Sequence, residues 1–324
     1  MLITDKDLLS IQEARNLTMR AYEAQKIWGK ATQEEVDRVC AAMADAAFAA
    51  SERLGRMAAE ETGFGVAEHK KLKNQFASKH VWESIKDIKT VGVINHDAAR
   101  SIYEIAWPVG VVAGLVPSTN PTSTAINKIL ISVKARNGII LAPHPFAVKC
   151  TLEAVNIMAD AAERAGAPAG LIGAMSLISL QGTQELMGHK RIALILATGG
   201  GPMVRVAHSM GKPAYGVGPG NVPAYVDRSA DLEKAAKYIV SSKAFDFSTI
   251  CATEQAVVAD RPIAARLAQL MEAEGAYFVD EGQAEALRSI LFHPNGGINA
   301  DATAKSAQYL AAMAGFEIPN DVRI

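Results

Sequence analysis

The first 86 residues carry the period of helices. Leu8, Ile11, Ala14, Leu17, Ala21, Ala24 and Ile27 recur every three to four residues and line one helical face. Thr32 followed by Glu35 predicts a capping box at the head of the next helix, which is rich in alanine around Cys40 and Phe48. Gly63 and Gly65 close a third helix. From residue 90 the pattern shortens to two runs, 91–94 and 102–105, whose β-branched and aromatic residues predict a hairpin. Apolar runs then alternate with helical stretches. Strands are expected at 109–116, 139–141, 171–174 (the weakest), 192–196 and 214–217, and helices at 121–136, 145–165 and 202–210. Near-continuous apolar strands separated by helices predict a parallel sheet covered on both faces, in the doubly wound α/β pattern that binds nucleotides at the carboxyl ends of its strands. After Pro223 the alternation restarts, with strands at 224–226 and 256–258, and helices at 231–240, 262–274, 282–291 and 302–314. Two α/β domains follow, 1–221 with its amino-terminal helices and 222–324.

Composition narrows the chemistry. At 324 residues with 49% apolar residues the chain can bury a sizeable core. Lys and Arg number 33 against 34 Asp and Glu, which argues against a nucleic-acid partner. No apolar run is long enough to span a bilayer, and the start is not that of a signal peptide. The three cysteines, Cys40, Cys150 and Cys251, have no zinc-ribbon spacing and give an odd count, so a reducing, cytoplasmic setting and no metal are expected. Cys40 sits among apolar helical positions and reads as a core thiol.

Four segments could carry chemistry. Cys251 lies in a short polar loop between a helix and a strand, where a thiol can reach a cleft; a buried loop thiol is the plain alternative. Asn120 follows the first strand of the parallel sheet and precedes Pro121, so it is either a helix cap or an amide donor to an oxygen that becomes negative. Thr198-Gly199-Gly200-Gly201 comes after a strand and opens a helix, as a pyrophosphate turn does, although a flexible turn fits equally. The glycine-dense stretch 215–223 reads as a tight hinge with positive φ angles.

Together these segments resemble the aldehyde dehydrogenase superfamily, and specifically its CoA-acylating branch. The strings are Asn-Pro-Thr-Ser-Thr-Ala at 120–125, Arg-Asn-Gly-Ile-Ile at 136–140, Pro-His-Pro at 143–145, Ala-Thr-Gly-Gly at 197–200 and Ile-Cys-Ala at 250–252. The likeness is close from about residue 105 onward and looser before. It implies a Rossmann-type dinucleotide domain with a second, catalytic α/β domain, here incomplete at its carboxyl end. It further implies Cys251 as nucleophile, Asn120 as oxyanion donor and 198–201 as the phosphate turn. Pro117, Ser118, Thr119, Pro145 and Gly218 are implied as further cofactor contacts, and so is His144, for which a structural histidine between two prolines fits equally. The cofactor is NAD, with NADP possible, coenzyme A is the co-substrate, and a homodimer or higher homo-oligomer is expected.

Two departures from the hydrolysing branch matter. That branch carries a water-activating glutamate on the strand before the domain crossing, whereas this chain has Val217 there and no carboxylate between Lys212 and Asp227. Its lysine and glutamate near the adenosine ribose are replaced by Ala142-Pro143-His144-Pro145. The resemblance therefore implies a Cys251 thioester released by CoA. A hydrolysing semialdehyde dehydrogenase, or a truncated non-catalytic remnant or assembly partner, are the alternatives. The early stop at Ile324 favours a truncated chain with weak turnover.

Overall fold

The computed structural model describes residues 4–324, and the chain divides into two compact units. One comprises the chain up to Gly63 and Ala67–Pro219; the other comprises Phe64–Val66 and Gly220–Ile324.

The first unit begins with helices α1 (Lys6–Trp28), α2 (Gln33–Ala49), α3 (Ser51–Thr62), α4 (Ala67–Gln75) and α5 (Val81–Ile85), the last two joined by a π-helical turn. Thr32 and Glu35 form the capping box expected of α2, and Gly63 ends α3 in the left-handed region. Strands β1 (Gly92–Asp97) and β2 (Ile102–Ala106) pair as an antiparallel hairpin. The sheet comprises β3 (Val111–Leu115), β4 (Gly138–Ala142), β5 (Ile172–Ala174), β6 (Ile192–Thr198) and β7 (Ala214–Val217), all parallel in the order β5-β4-β3-β6-β7. Helices α6 (Pro121–Lys134), α7 (Val148–Arg164), α8 (Leu180–Gly188) and α9 (Gly201–His208) connect them.

Both faces of the central strands are buried, which explains their uninterrupted apolar sequences. Val112, Ile139 and Leu141 pack with α2, α6 and α7, while Val111, Ala113, Leu115 and Ile140 pack with α1, α8 and α9. Helix α8 escapes the sequence pattern because it is short and carries Gly182. That glycine is needed: a Cβ there would lie 1.9 Å from Ser10 Oγ of α1.

The second unit pairs β8 (Pro223–Val226) in parallel with β9 (Ala256–Ala259). Helices α10 (Leu232–Ala244) and α11 (Arg261–Ala273) pack Ala236, Ile239, Val240, Leu267 and Met271 against Val226. Helices α12 (Glu281–Leu291) and α13 (Ala307–Ala314) complete it. The helix expected over 302–314 is shorter than its periodicity suggests. Ala304 takes a left-handed φ of 59°, and Ser306 caps a fresh start by accepting the Tyr309 N–H.

Candidate active site

Strand order alone gathers three of the sequence-predicted segments. Leu115 is in register with Ala142 on one side and Ala197 on the other, so 117–120, 143–145 and 198–201 leave the same edge of three adjacent strands. With strands ~4.8 Å apart, these ends span about 10 Å, enough for a nucleoside diphosphate. The chain winds to opposite sides of β3 at this point, the switch where open α/β sheets bind ligands.

Asn120 stands at the amino-terminal boundary of α6, with Pro121 filling the first turn, but its side chain makes no capping bond. Instead Oδ1 accepts from Lys73 Nζ at 2.5 Å, and Nδ2 donates to Thr119 Oγ1 at 3.3 Å. The cap reading fails because α4 takes the amide oxygen. Lys70 Nζ donates to the Thr119 carbonyl at 2.9 Å, and the Thr122 hydroxyl donates to Asn74 Oδ1 at 2.7 Å. Helix α4 thus holds the 119–122 segment at three points. Sequence reasoning missed Lys70, Lys73 and Asn74. Their spacing of three and one along a helix was the available signal, since lysines on a buried face need a polar partner. Lys128, on α6, was also missed; its ammonium donates to the Leu196 carbonyl at 2.8 Å, and burial pushes its pKa down to about 8.

Gly199 and Gly200 lie between β6 and α9, Gly201 opens α9, and none has a positive φ. A Cβ on any of them would meet nothing closer than 3.6 Å. A methyl group on any of them would make only ordinary contacts, so neither backbone conformation nor packing within the unit requires these glycines at the head of α9. A glycine turn at a helix amino terminus is the kind of place where backbone N–H groups can meet an anion. The Gly199 N–H donates to the Val217 carbonyl at 3.1 Å, bringing Gly218 beside this turn. Pro117 and Ser118 are half-buried at the end of β3. His144 precedes Pro145 at the end of β4, where Nδ1 accepts the Phe146 N–H at 3.2 Å and partial burial lowers the imidazole pKa.

The hinge expected at 215–223 has a different basis. Gly216, Gly218 and Gly220 all avoid positive φ. Gly216 backs onto Val204 and His208, while a Cβ on Gly220 would stand 1.6 Å from the Cys251 carbonyl oxygen. These two glycines serve close approach rather than left-handed turns.

Cys251 belongs to the second unit and is exposed. It follows three consecutive left-handed residues, Asp246, Phe247 and Ser248. The buried Asp246 carboxylate holds this turn, accepting the Val66 N–H at 2.6 Å and the Thr249 hydroxyl. Ser248 Oγ and Thr253 Oγ1 are hydrogen-bonded at 2.9 Å, and Thr253 Oγ1 donates to the Ile250 carbonyl at 3.0 Å. Side-chain bonds on both sides thus fix the loop around the thiol. Among the described residues no cluster of His, Cys, Asp or Glu could hold a metal ion, and no helix is long and apolar enough to cross a membrane.

Residues 5–283 match the model of the aldehyde dehydrogenase family. The chain belongs to that family. It is 41% identical over 315 residues to the bifunctional aldehyde-alcohol dehydrogenase AdhE of Escherichia coli, covering 97% of this chain and 35% of that protein. It therefore spans about a third of that curated relative's length. An acetylating aldehyde dehydrogenase from Geobacillus thermoglucosidasius, solved as a crystal structure, is 52% identical with a TM-score of 0.96, covering 99% of this chain and 71% of that one. A Rhodopseudomonas palustris propionaldehyde dehydrogenase solved with bound propionyl-CoA is 29% identical with a TM-score of 0.84, covering 96% of this chain and 69% of that one. This family membership agrees with the Ile-Cys-Ala and Asn-Pro-Thr-Ser strings and with the doubly wound sheet.

Proposed function

We propose that this chain carries the dinucleotide-binding and nucleophile parts of an acylating aldehyde dehydrogenase, converting an aldehyde, CoA and NAD(P)+ reversibly to acyl-CoA and NAD(P)H. The observation that carries the reading is an exposed Cys251 thiol on a side-chain-braced loop, in a chain whose strand before the crossing bears Val217 where a water-activating carboxylate would stand. The acetylating and propionyl-CoA-bound relatives support the choice of acyl acceptor.

In this reading the Cys251 thiolate adds to the aldehyde carbonyl, and Asn120 donates to the resulting oxyanion. Bound nicotinamide supplies a hydride acceptor, with Gly199, Gly200 and Gly201 at the pyrophosphate and Pro117, Ser118, Thr119, His144, Pro145 and Gly218 along the rest of the cofactor. Loss of hydride leaves an acyl thioester on Cys251. The CoA thiolate then attacks that carbonyl, forming the new C–S bond as the Cys251 thiolate departs. A thiol near pKa 8.5 is already partly ionised at neutral pH, whereas water needs a base. Homo-oligomer formation is part of the same proposal, supported by a hairpin that exposes Ile94, Ile102, Ile105 and Trp107.

The test is absorbance at the NADH band with and without CoA, in the full-length protein. CoA should be required for sustained NADH production, with at most one burst per active site in its absence. Steady release of free carboxylic acid without CoA would move the protein to the hydrolysing branch. Glu254, whose Oε2 is buried without a hydrogen-bond partner, would then be the base to examine.

A further inference from the structure

We infer that Lys73 is a positioning residue for the oxyanion donor: its ammonium fixes the orientation of the Asn120 amide and polarises it. The inference rests on the role proposed above for Asn120. An Asn side chain can be turned over so that its oxygen and nitrogen exchange places, and only its partners decide which end faces where. Lys73 is 9% exposed, and its Nζ lies 2.5 Å from Asn120 Oδ1. An ammonium has three donors and no acceptor, so the turned-over amide would set donor against donor at that distance. The oxygen is therefore held toward α4 and the NH2 group away from it, on the side of Thr119 Oγ1.

The platform for this contact is rigid. Lys70, one turn earlier and 2% exposed, binds the Thr119 carbonyl, and Asn74 bridges the Ser51 carbonyl and the Thr122 hydroxyl. Thr119, just before Asn120, and Thr122, two residues beyond it, are thus anchored to the same helix that carries Lys73. A charge-assisted hydrogen bond to an amide oxygen also draws electron density from the nitrogen, which makes the NH2 a stronger donor. Both effects act before the substrate arrives, which is how an oxyanion site avoids reorganisation during the reaction.

The test is a double-mutant cycle in the full-length protein, read as the rate of the NADH burst with aldehyde. Asn120→Ala should slow the burst by roughly 10²–10³, the usual effect of removing one oxyanion donor. Lys73→Met should slow it about 10- to 100-fold, a part of that same effect, with aldehyde KM and dinucleotide affinity unchanged. In the Asn120→Ala background, Lys73→Met should change the rate less than about two-fold, since a residue acting through Asn120 has nothing left to position. Lys73→Gln keeps an N–H donor toward the amide oxygen and should recover part of the loss. Equal losses in both backgrounds, or no loss when Asn120→Ala is slow, would overturn the role of Lys73 alone. Loss of dinucleotide binding in both Lys73 variants would make it a folding residue and overturn it too. If the unaltered protein gives no burst with any aldehyde, the reading beneath it falls as well.

Discussion

Three thiols in one chain sit in different surroundings, two buried and one exposed. Burial pushes the Cys40 thiol up to about 12, and burial together with the Glu61 carboxylate pushes Cys150 up as well. Neither is a thiolate at neutral pH; Cys251 is exposed on its loop. Cys251→Ser should abolish the NADH burst while fluorescence titration still detects dinucleotide binding. Cys40→Ala and Cys150→Ala should keep their activity, at a cost of about 1 kcal/mol each for the vacated volume. Retained turnover in the serine variant would remove Cys251 from the mechanism. Lys128 makes a pH-dependent statement of the same kind. Its pKa falls from 10.5 to about 8 on burial, so between those values the unfolded chain binds more protons than the folded one. Stability should therefore rise with pH across that window, by about 3 kcal/mol in all, and the burial cost should be fully present below pH 8. Comparing urea midpoints with those of Lys128→Met isolates this slope. A parallel pH profile in the two proteins would contradict the assignment.

At the scale of elements, the strand ends and the turns beside them set what the side chains can do. The 246–248 turn holds three non-glycine residues in the left-handed region, a costly conformation that persists because the Asp246 carboxylate receives donors from two segments. Gly220 is the matching requirement on the other side of the loop. A methyl group there collides with the Cys251 backbone, which has no flexible end to give way. Gly220→Ala should therefore cost about 1–3 kcal/mol of stability. It should also slow alkylation of Cys251 by iodoacetamide and the NADH burst together, with dinucleotide binding unchanged. A burst as fast as that of the unaltered protein would mean that the loop tolerates displacement.

For the whole molecule, the exposed apolar surface of the hairpin is the feature that asks for a partner. Ile94, Ile102, Ile105 and Trp107 are all exposed, Trp107 by 82%. Ile102 and Ile105 lie three apart on β2 and so face opposite sides of the hairpin, which leaves apolar side chains exposed on both. A double Ile102→Lys, Ile105→Lys substitution should shift the sedimentation coefficient of the full-length protein to a smaller species, with the hairpin's own strand pairing retained. An unchanged coefficient would remove the hairpin from the proposed association.

Much of this was legible from the sequence because the responsible interactions are local or periodic. The uninterrupted apolar runs at 111–115 and 138–142 announce strands buried on both faces, and Thr32 with Glu35 announces a capping box. The Asn120, Gly199–Gly201 and Cys251 candidates stand at strand-to-helix or helix-to-strand junctions that the same periodicities locate. What the sequence could not decide involves contacts between residues far apart along the chain. Helix α8 depends on Gly182 meeting Ser10, and the glycines at 216 and 220 depend on what lies across from them rather than on φ. The cap reading of Asn120 was open until Lys73, 47 residues away, took its amide oxygen. An isolated asparagine before a proline has two equally good local uses. Only the packing of a second helix supplies the charge that takes the oxygen a cap would need.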